Sequence, residues 1–462
     1  MQNSTSNQFY AHHESGIFVD KEDLSTVRPS NLTVDTDPSV GDSQTELDRQ
    51  KKTQGHHKFH RLGWKRLVVV LVVEAIALGS LSLPAAFATL GMVGGVIACV
   101  GIGLVATYAS YEVGAVKIKY PEVEHYGDIG RLMLGEAGFW IVTVTFVFPI
   151  CLGVGSHCLT GIIAFVDITQ SKTCTAIFGL VSATILLVLA IPPTFADIAI
   201  LGYVDIVSIL GAIGITIIAT GIQSTQASGD GIAGSDWSAW PGEDVDFTSA
   251  MVAINNIVFS YTFAATIPSF MNEMHTPTDY VKSVYAIGSI QISIYTLIGA
   301  LVYAFVGKDV QSVACITISW APDVEDRVWS ARYIHTYFYR DSVKRYVNTK
   351  AGWITWVSIV TILTILSWII AEAIPVFSLI LSLCAALFSS GLCFYVPALL
   401  WFLLVKEGSW TYWHNIRRAS FNGFVFLFGI AILVCGMYAN GVELRRESRN
   451  GDFSRPFTCA SG

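Results

Sequence analysis

Ten apolar runs, each 18 residues or longer, occupy most of the chain between residues 67 and 440. As an α-helix, a run of that length crosses a hydrocarbon core about 30 Å thick. No water reaches that core, so backbone N–H and C=O groups must bond within their own segment, as a helix allows. The runs fall at 67–89, 91–115, 137–166, 174–193, 198–222, 249–272, 281–306, 352–371, 374–405 and 420–440. They predict an all-α polytopic membrane protein whose membrane domain covers 61–440. Composition agrees: 14% of residues are charged and 53% are hydrophobic, against roughly 25% charged in soluble domains. The 39 glycines suit close helix approach in a bilayer.

Charge patterning orients the runs. Residues 1–60 are polar, with almost no apolar periodicity, and read as a disordered tail. They carry no secretory signal pattern. Lys51, Lys52, Lys58, Arg61, Lys65 and Arg66 precede the first run and place the N-terminus in the cytoplasm. Lys117, Lys119 and Arg131 put the gap after the second run inside as well. The acidic 223–248 gap, without Lys or Arg, lies outside. Parity then fails. The gap after the seventh run carries Arg327, Arg332, Arg340, Lys344, Arg345 and Lys350, an inside signature where an outside one is due. One more crossing is needed between 307 and 350, yet Asp323, Glu325, Asp326 and Arg327 interrupt every window that might supply it. That stretch holds an altered or missing span, or the protein has ten. Residues 441–462 read as a C-terminal tail.

Two runs are internally broken. Gly79, Ser80, Ser82 and Pro84 weaken the first, and Asn255-Asn256 through Ser260-Tyr261-Thr262, followed by Pro268, weaken the sixth. Unwound backbone at that depth is tolerated where protein buries it or it lines a cavity. Its free amides then suit a carboxylate, and its free carbonyls an ammonium group or a cation. Broken helices opening two successive five-span blocks point to an inverted-repeat transporter. A kink without function is the simpler reading of either break alone. Intramembrane ionisable residues add to the picture, because such groups are costly in hydrocarbon. Glu74 lies five residues before the first break, as a coupling carboxylate or an interhelical hydrogen-bonding group. Asp205 has the same two readings. His157 reads as a helix-packing residue and Glu372 as interfacial.

Of the nine cysteines, Cys99, Cys151, Cys158, Cys384, Cys393 and Cys435 sit inside apolar runs without metal-ligand spacing. Cys174, at the very start of the fourth run, and Cys459, beyond the last, could pair if the chain crosses eleven times. No basic stripe suggests nucleic acid, and no nucleophile–base pair or metal set suggests an enzyme, so no cofactor or metal is expected.

The segments His60–Arg66, Val73–Pro84 and Phe270–Pro277 resemble the fungal neutral amino acid permeases of the amino acid/auxin permease family. Tyr126–Gly130 with Gly135, and Ile369–Pro375, resemble other parts of it. The likeness runs from about residue 56 to the end. It implies eleven spans in the inverted five-helix repeat fold, with broken helices 1 and 6, and proton-driven transport of neutral aliphatic and aromatic amino acids. By the same analogy the substrate site lies around Gly79, Ser80 and Ser82 in span 1 and Ser260, Tyr261 and Thr262 in span 6. The family's apolar eighth span is short and charged here, between Gln311 and Thr349.

The expected function is therefore symport of neutral amino acids and protons across the plasma membrane. The vacuolar membrane is a second address. An amino acid sensor with the transporter fold, or an inactive chain lacking span 8, is the alternative.

Overall fold

A computed structural model of the chain describes residues 62–169, 174–191, 207–208, 210–222, 236–243, 245–309, 331, 334–335, 339, 349–373 and 377–450, without the side chains at 74–78, 81, 167, 175, 309, 373, 377 and 450. The expectations for 1–60, Asp205, the 307–350 anomaly and Cys459 fall wholly or largely outside these residues, as does the Glu74 side chain.

Helix α1 (Trp64–Lys119) contains the first two apolar runs. Within it only Gly91, at φ 74° and ψ 166°, departs from helical geometry. A side chain is strained at that φ, and a Cβ there would also meet the Trp240 backbone at 2.5 Å. The chain folds back on itself at this glycine. Before it, Trp64 meets Ser283 and Gly79 meets Tyr295; beyond it, Gly103 meets Ile292 and Gly114 meets Tyr280. The two halves thus run in opposite directions along one neighbour, α7 (Tyr280–Val306). The first free amides of the second half find partners in the 236–243 segment: Met92 donates to the Ser238 carbonyl and Val93 to that of Ala239, both at 2.9 Å. These bonds close a helix start that has no partners of its own.

Helix α2 (Tyr126–Thr169) is interrupted at Leu134 and Gly135, before the third run. Helices α3 (Thr175–Leu189) and α4 (Leu210–Ile222) follow. Helix α5 (Phe247–Ser260) is capped by Asp246, whose carboxylate accepts the Ser249 amide at 2.9 Å. A 3₁₀ turn (Thr262–Ala265) joins α5 to the short α6 (Ile267–Met271). After α7 come α8 (Lys350–Ala373) and α9 (Phe377–Cys384). The chain from α9 runs on through π-helical turns at Ala385–Ser389 and Gly391–Tyr395, then α10 (Val396–Leu400), then a third π turn at Trp401–Val405. Such turns leave the ordinary ladder and often mark functional positions. Helix α11 (Trp413–Asn450) continues past residue 440, so the expected C-terminal tail begins as helix.

Among the described residues, six helices are long and apolar enough to cross a membrane, and three shorter apolar ones accompany them. The expected weak points in spans 1 and 6 differ in outcome. Span 6 opens at Tyr261, where α-helix gives way to 3₁₀. Span 1 keeps helical dihedrals through Gly79–Pro84. The Ser82 hydroxyl donates to the Gly79 carbonyl at 3.2 Å, and packing against α5 and α7 holds the segment in place.

Two of the resemblance segments meet. The Leu62 amide donates to the Glu273 carbonyl and the His275 amide to that of Leu62, both at 3.1 Å. A parallel bridge thus pins the start of span 1 to the end of span 6.

Candidate functional site

The site is the junction where α1, the break after α5, and α7 converge. Gly79 belongs there because nothing larger fits. A Cβ on it would lie 2.9 Å from Ser260 Cβ, Ser260 Oγ and the Tyr295 hydroxyl. That hydroxyl donates to the Ser260 carbonyl at 3.2 Å, at the end of α5 where the ladder changes. Ser260 Oγ bonds back to the Asn256 carbonyl at 3.0 Å. The Tyr261 ring stands edge-on to Tyr295, centroids 5.2 Å apart, against the bare face of Gly103. Its hydroxyl is buried without a hydrogen-bond partner, a costly state for a polar group. Removing one hydroxyl from this cluster is a clean test. Tyr295→Phe should lower transport efficiency roughly fivefold, the worth of a hydrogen bond of about 1 kcal/mol, as read from uptake kinetics at equal surface density.

The broken segment is also laced to the π-helical turns. Thr262 Oγ1 donates to the Phe259 carbonyl at 2.5 Å and lies 3.1 Å from Ser389 Oγ. Cys393 Sγ donates to the Thr262 carbonyl at 3.2 Å. The six expected site residues therefore divide. Gly79, Ser260 and Tyr261 converge around Tyr295, whereas Thr262 faces Ser389. Ser82 bonds within its own helix, and Ser80 is buried.

One turn before Ser260, Asn255 donates to Ser382 Oγ at 3.1 Å and Asn256 to Ser378 Oγ at 2.8 Å. Next to Asn256 lies a cavity of about 240 Å³. It passes Ala85, Ala86 and Thr89 of α1 on its way to Glu443 and Glu447 of α11. At that end Arg446 pairs with Asp246, the cap of α5, and with Glu443 at 3.2 Å. The Arg446 guanidinium, with the Ser249 amide and the Thr248 hydroxyl, holds the Asp246 carboxyl well below the usual carboxylate range. A depressed carboxylate contributes stability above its unfolded value and loses it only as pH falls through the folded one. At about pH 4, where an ordinary aspartate is half protonated, Asp246 remains ionised. The stability difference between the protein and Asp246→Asn should therefore persist from about pH 7 to pH 4 in thermal melts, and a difference that vanished by pH 4 would contradict the pairing.

One buried charge gives no sign of itself in the sequence pattern. Glu112, in the second apolar run, has no exposed side-chain surface and meets Arg418 of α11 at 2.5 Å. Arg418 lies 5.6 Å from the Trp401 ring, and Asn422 donates to the Tyr108 hydroxyl at 2.7 Å beside it. Tyr295 likewise had no signal, being one aromatic among many. The remaining candidates are peripheral: His157 is buried in α2, and Glu372 packs against Gly179 of α3. Among the described residues, six cysteines are in no disulfide, and five of them are buried. Cys174 is disulfide-bonded.

Comparison with known proteins fits this architecture. The family model for the transmembrane amino acid transporter protein matches residues 60–321 and 330–440, and the interruption falls inside the anomalous stretch. The "N amino acid transport system protein" of Neurospora crassa is 47% identical over 432 residues, covering 90% of this chain and 92% of that protein. A "transmembrane transporter" of Fusarium pseudograminearum is 25% identical over 441 residues, 91% of each chain. Among solved structures, MhsT in complex with L-phenylalanine superposes with a TM-score of 0.54 at 12% identity, covering 80% of this chain and 98% of that one. Mhp1, a nucleobase-cation-symport-1 family transporter with bromovinylhydantoin bound, gives 0.53 at 14% identity, covering 87% and 95%. The fold is thus the inverted five-helix repeat of these transporters. The chain is a multi-pass membrane protein belonging to the transmembrane amino acid transporter family.

Proposed function

We propose that this amino acid transporter imports neutral aliphatic and aromatic amino acids together with protons, by alternating access, at the plasma membrane. The carrying observation is a cavity of about 240 Å³ that reaches Asn256, one helical turn from the closed contact of Gly79 with Ser260 and Tyr295. Substrate binding requires that contact to part. Separating α1 from α5 exposes the Ser260 carbonyl to an ammonium group. Unwinding α1 at Gly79, a residue type with little helix preference, frees the amides of Ser80 and Ser82 for a carboxylate. The neutral lining of Tyr261, Tyr295 and Gly103 suits an uncharged side chain. The Neurospora relative is named for amino acid transport, and the MhsT structure holds L-phenylalanine, which supports the substrate class.

A cytoplasmic N-terminus is supported by Cys174. A disulfide belongs on the oxidising side of a membrane, and Cys174 follows three apolar runs.

Glu74 is the proposed coupling carboxylate. Uptake of labelled leucine and phenylalanine by permease-deficient cells, with and without a protonophore, tests the reading. Uptake abolished by the protonophore supports proton coupling, and uptake indifferent to it refutes coupling. Glu74→Gln should reach the surface and lose its acid stimulation of uptake. Unchanged acid stimulation would remove Glu74 from the mechanism.

A further inference from the structure

We infer that the cavity beneath α11 is an outer docking site that receives an amino acid by its ammonium group, through Glu443 and Glu447, before the Gly79–Ser260 contact opens. The inference rests on the transport reading above. Glu443 and Glu447 are four residues apart and so share one face of α11; both line the cavity. At its other end stands Asn256, 4% exposed, whose amide nitrogen is spent on Ser378 and whose Oδ1 has no hydrogen-bond partner. A buried acceptor left so is costly, and an incoming N–H donor relieves it. The charged and amide groups thus offer acceptors at both ends of the space; the lining itself holds no Lys or Arg, and Arg446 beside it takes one Glu443 oxygen at 3.2 Å. That set selects a cationic donor over an anion. Ala85, Ala86, Val252, Ala253 and Leu379 make the walls between. They suit an uncharged side chain and leave about 240 Å³ for it.

The order of events follows from the position of Asn256. Its carbonyl accepts Ser260 Oγ, so a solute held at Asn256 lies one helical turn from the closed junction. The carboxylates draw the ammonium group in, and Asn256 passes it toward the carbonyl of Ser260.

The test is leucine uptake by Glu447→Gln and by the Glu443→Gln/Glu447→Gln double variant, at matched surface density. A charge-assisted hydrogen bond lost at docking should raise KM roughly tenfold in the double variant with little change in maximal rate. Competition by the α-hydroxy analogue of leucine, which lacks the ammonium group, should be unchanged. Equal weakening of leucine and its hydroxy analogue, or an unchanged KM, overturns the proposal. Ser249→Cys gives a second readout that needs no transport. A cationic methanethiosulfonate should label it faster than an anionic one, and leucine should slow the labelling whereas the hydroxy analogue should not. Equal rates without protection also overturn it. If the unaltered protein takes up no leucine, the transport reading fails, and the labelling still decides whether the cavity binds ammonium.

Discussion

Gly79→Leu should abolish amino acid uptake while the protein still reaches the cell surface. The reason is geometric. The space a β-carbon would need is already occupied by Ser260 Cβ, Ser260 Oγ and the Tyr295 hydroxyl, all at 2.9 Å. Real side chains do not approach that closely, so something must shift, and overpacking of this kind costs typically 1–3 kcal/mol. Gly79→Ala asks for a few tenths of an ångström from Ser260 and Tyr295 and should retain partial activity. Leucine asks for the separation of α1 from α5 and α7. If the closed contact is the joint that opens and shuts during transport, a side chain wedged into it holds one state. Labelled uptake with surface biotinylation reads both parts, and wild-type transport by Gly79→Leu at normal surface density would show that the joint is not on the path.

The second large effect concerns folding. Arg418→Ala strands Glu112, whose side chain has no exposed surface. A buried charge that loses its partner costs about 3–5 kcal/mol, a large share of the stability of most proteins. The variant should be retained inside the cell and should melt well below the parent in detergent. Glu112→Gln combined with Arg418→Ala removes the stranded charge and should recover most of the surface density. Arg418 also lies near the Trp401 ring, so the recovery should be incomplete. A single Arg418→Ala variant with normal melting and surface density would mean that Glu112 finds water or another partner.

The sequence was most legible where one residue type had one physical solution. Gly91 separates two apolar runs, and the structure turns there because a positive φ suits glycine. The break at Tyr261 was legible for a similar reason: polar residues and Pro268 sit at mid-run, where a regular ladder is hard to keep. The same reasoning overstated span 1. Pro84 removes one donor, but the Ser82 hydroxyl takes the Gly79 carbonyl and two neighbouring helices hold the backbone. Local composition cannot report that support. Glu112 shows the converse. A single acid near the end of an apolar run looks interfacial, and its burial depends on an arginine 306 residues away. Tyr295 carried no signal either, since its role comes from the glycine opposite it. Glu443 and Glu447 lie beyond the last apolar run, and only the continuation of α11 to Asn450 brings them over the cavity.

The corner at Gly91 sets the leverage available to the first span. The end of that span at the corner is tied down, because Trp240 crowds Gly91 and the carbonyls of Ser238 and Ala239 hold Met92 and Val93. Gly79 sits twelve residues below that anchor, an arm of about 18 Å at 1.5 Å per residue. A tilt of about 10° about the corner therefore swings Gly79 by about 3 Å. That stroke is the length of the hydrogen bond between Tyr295 and Ser260. A small rotation of a rigid rod, with no unwinding at its pivot, is enough to unseat the contact.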